Sequence, residues 1–165
     1  MGAYQAEAWA DFGVAVAGAG AALAGLVFVA LSINLERILA GYRLTARAGH
    51  TLMLLAAPLV IALLLLIPGQ SESALGTELV VLGAVTGAWL AVLNRPWLRS
   101  PEQPLLSWIT NSAIPAGLLS VATVVGGLGT ITGTLGGLYW LPAGVIAAFV
   151  GALLNAWVLL VEILR

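Results

Sequence analysis

Five long apolar runs, joined by short connections, dominate this chain of 165 residues. They cover about residues 12–33, 51–67, 74–93, 105–125 and 138–160, and a helix needs roughly 20 apolar residues to cross a bilayer, within a range of about 17–25. The third run is the mildest, because its strictly apolar part begins only at Leu79 and Glu78 precedes it. A helix of a water-soluble fold carries a polar stripe at helical spacing, and these runs have none. Only 8% of the residues are charged, too few to cover the surface of a soluble domain. The formal net charge of -1 excludes nucleic-acid binding through a basic surface. The expected fold is a single all-α domain over residues 1–165, an integral membrane protein with five transmembrane helices.

Arginines orient these helices. Arg37, Arg43 and Arg47 lie between runs one and two, Arg95 and Arg99 between runs three and four, and Arg165 after run five. By the positive-inside rule these segments face the cytoplasm, which puts the N-terminus outside and the C-terminus inside. Trp9, Tyr139 and Trp140 then fall at the outer interface and Trp89, Trp108 and Trp157 near the inner one, as aromatic anchors do. The first run is too long, and its acidic flank (Glu7, Asp11) wrong, for a secretory signal, so it reads as a retained helix. Arginine without lysine, beside abundant Ala and Gly, follows GC-rich codons and points to a high-GC bacterium, in whose cytoplasmic membrane such a multi-pass chain is expected.

The interiors of the runs show how they pack. Ala17, Ala21 and Gly25 recur at four-residue spacing in run one, beside Gly18 and Ala22. Gly83 and Gly87 form a GxxxG pair in run three, and Gly144, Ala148, Ala152 and Ala147, Gly151, Asn155 form two rows in run five. Small residues so spaced let helix backbones approach closely in lipid. Packing within one subunit is the preferred reading and oligomerisation the alternative. The bulky stretch Leu63 to Leu66 in run two is expected to face lipid. Pro58 and Pro115 interrupt runs two and four and are expected to kink them, whereas Pro142 falls in a first turn, where proline is tolerated. Residues 126–137 contain six glycines and no charge. That composition disfavours a helix and predicts an outer loop, or a segment dipping back into the membrane.

Chemistry has few places to reside. No run carries a charge near its middle, which argues against a proton pump, a voltage sensor or a carboxylate relay. His50 stands alone at the start of run two, where an interfacial role is expected. HExxH, GxSxG and P-loop patterns are absent, as is cysteine. No catalytic residue, metal site or cofactor is therefore expected, and the chain is not read as an enzyme. Ser32, Asn34, Thr86, Asn111 and Asn155 share a depth near the cytoplasmic side. An amide in hydrocarbon needs partners, so these groups are expected to seek one another as an inner polar layer. Their preferred role is interhelical glue, and the alternative is a vestibule open to the cytoplasm. Glu36, Arg37 and Glu162 are expected as charges at the inner interface, with Arg37 and Glu162 in reach of each other if helix one continues past Ser32 to Leu39.

The stretch Phe28-Val29-Ala30-Leu31-Ser32-Ile33-Asn34-Leu35-Glu36-Arg37-Ile38-Leu39 resembles the end of helix one in a family of small actinobacterial membrane proteins. Its members are largely uncharacterised and are sometimes labelled modulators of the membrane protease FtsH. The resemblance implies an accessory protein acting through helix contacts on a larger membrane complex, with such a protease as one candidate, and supplies no catalytic residues. Its expected partners are the lipid bilayer and a second copy or another membrane protein. The alternative is a homo-oligomeric ion channel or small-solute carrier lined by the neutral polar residues. In a chain without native cysteine the orientation is directly testable. Cysteines at Gln5, Gln70 and Thr132 should react with an impermeant reagent on intact cells, and those at Thr45 and Gln103 should not; outside labelling at Gln103 breaks the five-span arrangement.

Overall fold

The computed structural model describes residues 2–40, 42–94 and 108–164, and only the backbone of residues 42, 43 and 162–164. Among the described residues there is no strand. Five helices are long and apolar enough to cross a membrane: Ala6–Ile33, Leu44–Leu65, Glu72–Leu93, Ile109–Thr132 and Gly137–Val161. A 3-10 turn, Ala6–Trp9, opens into α1 (Ala10–Ile33), followed by the short α2 (Leu35–Leu39). Next come α3 (Tyr42–Leu65) and α4 (Glu72–Leu93). A π-turn, Ile109–Ala113, leads into α5 (Ile114–Thr132), and a 3-10 turn, Gly137–Trp140, into α6 (Leu141–Leu164). The connection with Arg95 and Arg99, residues 105–107 of the fourth run, Gln103, Arg165 and the side chains of Arg43 and Glu162 lie outside the described residues.

Close contacts fix how the helices run. Gly76 lies against Gly127 and Ile131, Gly83 against Thr123 and Val124, and Gly87 against Ser120, so α4 and α5 are antiparallel. Gly144 against Leu118 and Ala122, with Gly151 against Pro115, makes α5 and α6 antiparallel. Gly13 against Leu66 and Gly20 against Leu59 do the same for α1 and α3. Helices α3, α4, α5 and α6 close into a four-helix ring, and α1 lies outside it, mainly against α3. The ring is filled by Leu54, Leu55, Leu75, Leu79, Leu119 and Leu141, all buried. One end of the bundle carries Arg37 and Arg47 and is called here the arginine end; the N-terminal turn and Gly137–Trp140 lie at the far end.

Several expectations need correction. Residues 126–132 are not a loop but the last two turns of α5, which ends at Gly133 in the left-handed conformation, φ 66°. The glycines cost helix propensity, yet they permit backbone contact with α4. A methyl group at Gly127 would lie 2.6 Å from Gly76 O and 2.9 Å from Val80 N. Only residues without side chains fit there, and the dispersion contact so gained offsets the propensity loss. The leucines at 63–66 do not all face outward, and 56% of the apolar stretch of α3 is buried, against 17% for α1. Leu63 is exposed, but Leu65 is buried and Leu66 packs on Gly13. Lipid and core are equally apolar, so greasiness does not mark the lipid face.

Helix one does not run on past Ser32 as one rod either. Asn34 caps α1, and α2 starts afresh at Leu35. Ser32 Oγ donates to Phe28 O (2.8 Å) and Asn34 Nδ2 to Ala30 O (2.9 Å). Such side-chain bonds to the backbone compete with the helical ladder and favour its termination. Run two begins earlier than its apolar residues suggest, because α3 starts at Tyr42 and takes Arg47 and His50 into its first turns. Pro115 sits in the first turn of α5, beyond the π-turn, rather than inside a continuous α-helix.

The glycine contacts separate two kinds of small residue. Gly18 and Gly25 of α1 have open space where a side chain would stand, unlike Gly76 and Gly127. Gly127→Leu should destabilise the protein in detergent by about 1–3 kcal/mol, the usual cost of overpacking, and lower its thermal midpoint. Gly18→Leu should leave the midpoint unchanged.

Candidate functional site at the arginine end

Proline at position 115 determines the local chemistry. Its ring has no N–H, so the carbonyl four residues earlier, Asn111 O, loses its usual α-helical donor. The backbone forms a π-turn here, with Ile114 N–H donating to Ile109 O. The donor for Asn111 O comes from the neighbouring helix: Asn155 Nδ2, on α6, donates to it at 2.8 Å. Asn155 is 2% exposed. Its Oδ1 faces the Ser112 hydroxyl at 3.5 Å, a long contact at the limit of a hydrogen bond. An amide buried in an apolar bundle is thus matched to a carbonyl that proline leaves short of a donor.

Gly151 makes this approach possible. It lies one turn from Asn155 on the same face of α6, and a methyl group there would lie 2.5 Å from Pro115 Cγ. Gly144 continues the seam, where a methyl group would lie 2.9 Å from Ala122 Cβ and 3.3 Å from Leu118 O. On the other flank of α5, a methyl group at Gly83 would lie 2.8 Å from Val124 Cγ2, and one at Gly87 would lie 2.9 Å from Ser120 Oγ. All four packing glycines picked from the sequence therefore face α5.

The polar layer comes together only in part. Asn111 and Asn155 meet, but through the Asn111 backbone; the Asn111 side chain accepts from Thr110 Oγ1 at 3.3 Å. Ser112 joins them, a residue the sequence reading passed over; its signal was its place beside Asn111, ahead of Pro115. Ser32 and Asn34 bond carbonyls of their own helix and do not contribute. Thr86 is buried on α4, and the side-chain hydrogen bonds of Asn155 among the described residues go to the π-turn before α5. Glu36 and Arg37 are exposed on α2; the partner proposed for Arg37, the Glu162 side chain, lies outside the described residues. At the far end Trp9 stands edge-on to Tyr139 at 5.1 Å and to Phe12 at 5.7 Å. Leu138 N–H also donates to Ala3 O at 2.8 Å, which seats the N-terminal segment on the turn before α6.

Comparison with protein-family models, curated proteins and solved structures finds no match to this chain.

The arrangement binds one helix to the next. The core toward the far end is closed by leucine, so the polar groups form a local joint between α5 and α6. Asn155→Leu should cost about 1 kcal/mol, the scale of an interhelical hydrogen bond between membrane helices. Thermal unfolding in detergent measures it, with Asn34→Leu, which loses a bond only within α1, as the comparison.

Proposed function

We propose that this chain is a non-enzymatic, multi-pass protein of a bacterial cytoplasmic membrane, with its arginine end in the cytoplasm. It acts through helix contacts as an accessory or modulator of a larger membrane complex. The observation that carries this reading is the contrast between the closed ring and α1. The ring turns its helical glycines other than Gly117, and its buried amide, inward, whereas α1 touches it along one face only, and 17% of its apolar stretch is buried. Its exposed residues between positions 15 and 25 are Ala15, Gly18, Ala19, Ala21, Ala22 and Gly25, none larger than a methyl group. This smooth strip is about 15 Å long at 1.5 Å per residue. Lipid makes no demand for small side chains, but a partner helix approaching closely does. Further along α1 the outward residues become bulky: Leu26, Phe28, Val29 and Ile33 are exposed. The resemblance of residues 28–39 to the actinobacterial family supports the same reading and makes a membrane protease one candidate complex.

A pull-down from native membranes, paired with ion flux through liposomes holding the purified protein, tests the proposal. A stable protein partner that is lost with Gly18→Leu or Gly25→Leu, without flux, is the expected result. Flux in the absence of any partner would replace this reading with a channel.

A further inference from the structure

His50 stands at the height of the α5–α6 joint. Gly151 touches two helices at once: a methyl group there would meet Pro115 of α5 and lie 3.5 Å from Leu54 Cδ1 of α3. His50 lies four residues before Leu54, Asn155 four after Gly151, and Asn111 four before Pro115. Residues four apart share a helix face. Both α3 and α5 run toward the far end and α6 runs back, so one turn from the Gly151 contact brings His50, Asn155 and Asn111–Ser112 to the same level. Gly49 gives a second marker of that height, since a methyl group there would lie 3.6 Å from Leu93 Cδ1, at the arginine end of α4.

The groups gathered there have unmet hydrogen-bonding capacity. His50 is 4% exposed, and its Nε2 is buried without a hydrogen-bond partner among the described residues. An imidazole nitrogen taken out of water and left unpaired is costly, and buried polar groups in native proteins are satisfied by protein or by ordered water. The 3.5 Å separation of Ser112 Oγ from Asn155 Oδ1 leaves both oxygens able to take a better partner.

We infer that His50, Ser112 and Asn155 form a hydration site that holds one water molecule between α3, α5 and α6. The water donates one proton to Asn155 Oδ1 and the other to His50 Nε2, and accepts the Ser112 hydroxyl proton. Three protein partners is the usual complement of a buried water. Through it α3, the helix against which α1 lies, is tied to the α5–α6 joint by hydrogen bonds as well as by packing.

The chain has one histidine, which makes the site directly observable. Protein labelled with 15N-histidine, in phosphatidylcholine nanodiscs, gives a single set of imidazole resonances. A cross-relaxation peak between the His50 ring protons and a long-lived water is expected. Ser112→Ala, a small change that should preserve the fold, is expected to abolish that peak and shift the Nε2 resonance, and Asn155→Leu to do the same. Ser32→Ala, which loses a bond only within α1, should change neither. Absence of the water peak in the unsubstituted, folded protein overturns the inference. So does a peak and an Nε2 shift that survive Ser112→Ala.

Discussion

Lipid tails are as apolar as leucine, so helices in a bilayer are held together by how closely they fit rather than by escape from water. In this chain the close fits converge on α5. Glycines of α4 meet it on one side, at Gly76, Gly83 and Gly87, and glycines of α6 on the other, at Gly144 and Gly151. Where α5 supplies the glycine itself, at Gly127, its backbone lies against the backbone of α4. The glycine-rich end of α5 is therefore a contact surface, and its weak intrinsic helicity is the cost of that contact.

The polar groups obey the same geometry. Pro115 frees a carbonyl, Gly151 lets α6 come near enough to reach it, and Asn155 donates to it. Remove the glycine and the amide loses its acceptor; remove the proline and the acceptor regains a donor from its own helix. The three residues are one device for setting two helices in register. Its members are neutral, as suits a site where unpaired charge would be expensive.

Much of the architecture was legible in the sequence. The number of long apolar helices follows from the lengths of the runs, and Gly83, Gly87, Gly144 and Gly151 could be picked as close-packing positions from their spacing alone. Which side of each helix faces the bundle was not legible, because hydropathy has the same value for core and lipid. Hence Leu65 was expected in lipid and is buried, while Gly18 and Ala22 look like core and are exposed. The end of α5 was misread for a related reason: propensity argues against a helix through Gly126, Gly127 and Gly129, and only the tertiary contact with α4 overrides it. Asn155 does meet Asn111, but the shared depth that suggests the pair carries no information on whether side chain or backbone makes the bond. That depended on Pro115, whose effect falls four residues away.

The closed ring rests on the α4 glycine row being used within one chain. Cysteines at Gly87 and Ser120 test this in native membranes, where the chain offers no competing thiol. A methyl group at Gly87 would lie 3.1 Å from Ser120 Cβ, within oxidative reach after a small adjustment. The expected product is a disulfide inside a single chain, migrating as monomer and requiring both cysteines. A disulfide-linked dimer in its place would show that the α4 row joins two copies, and would contradict the closed ring.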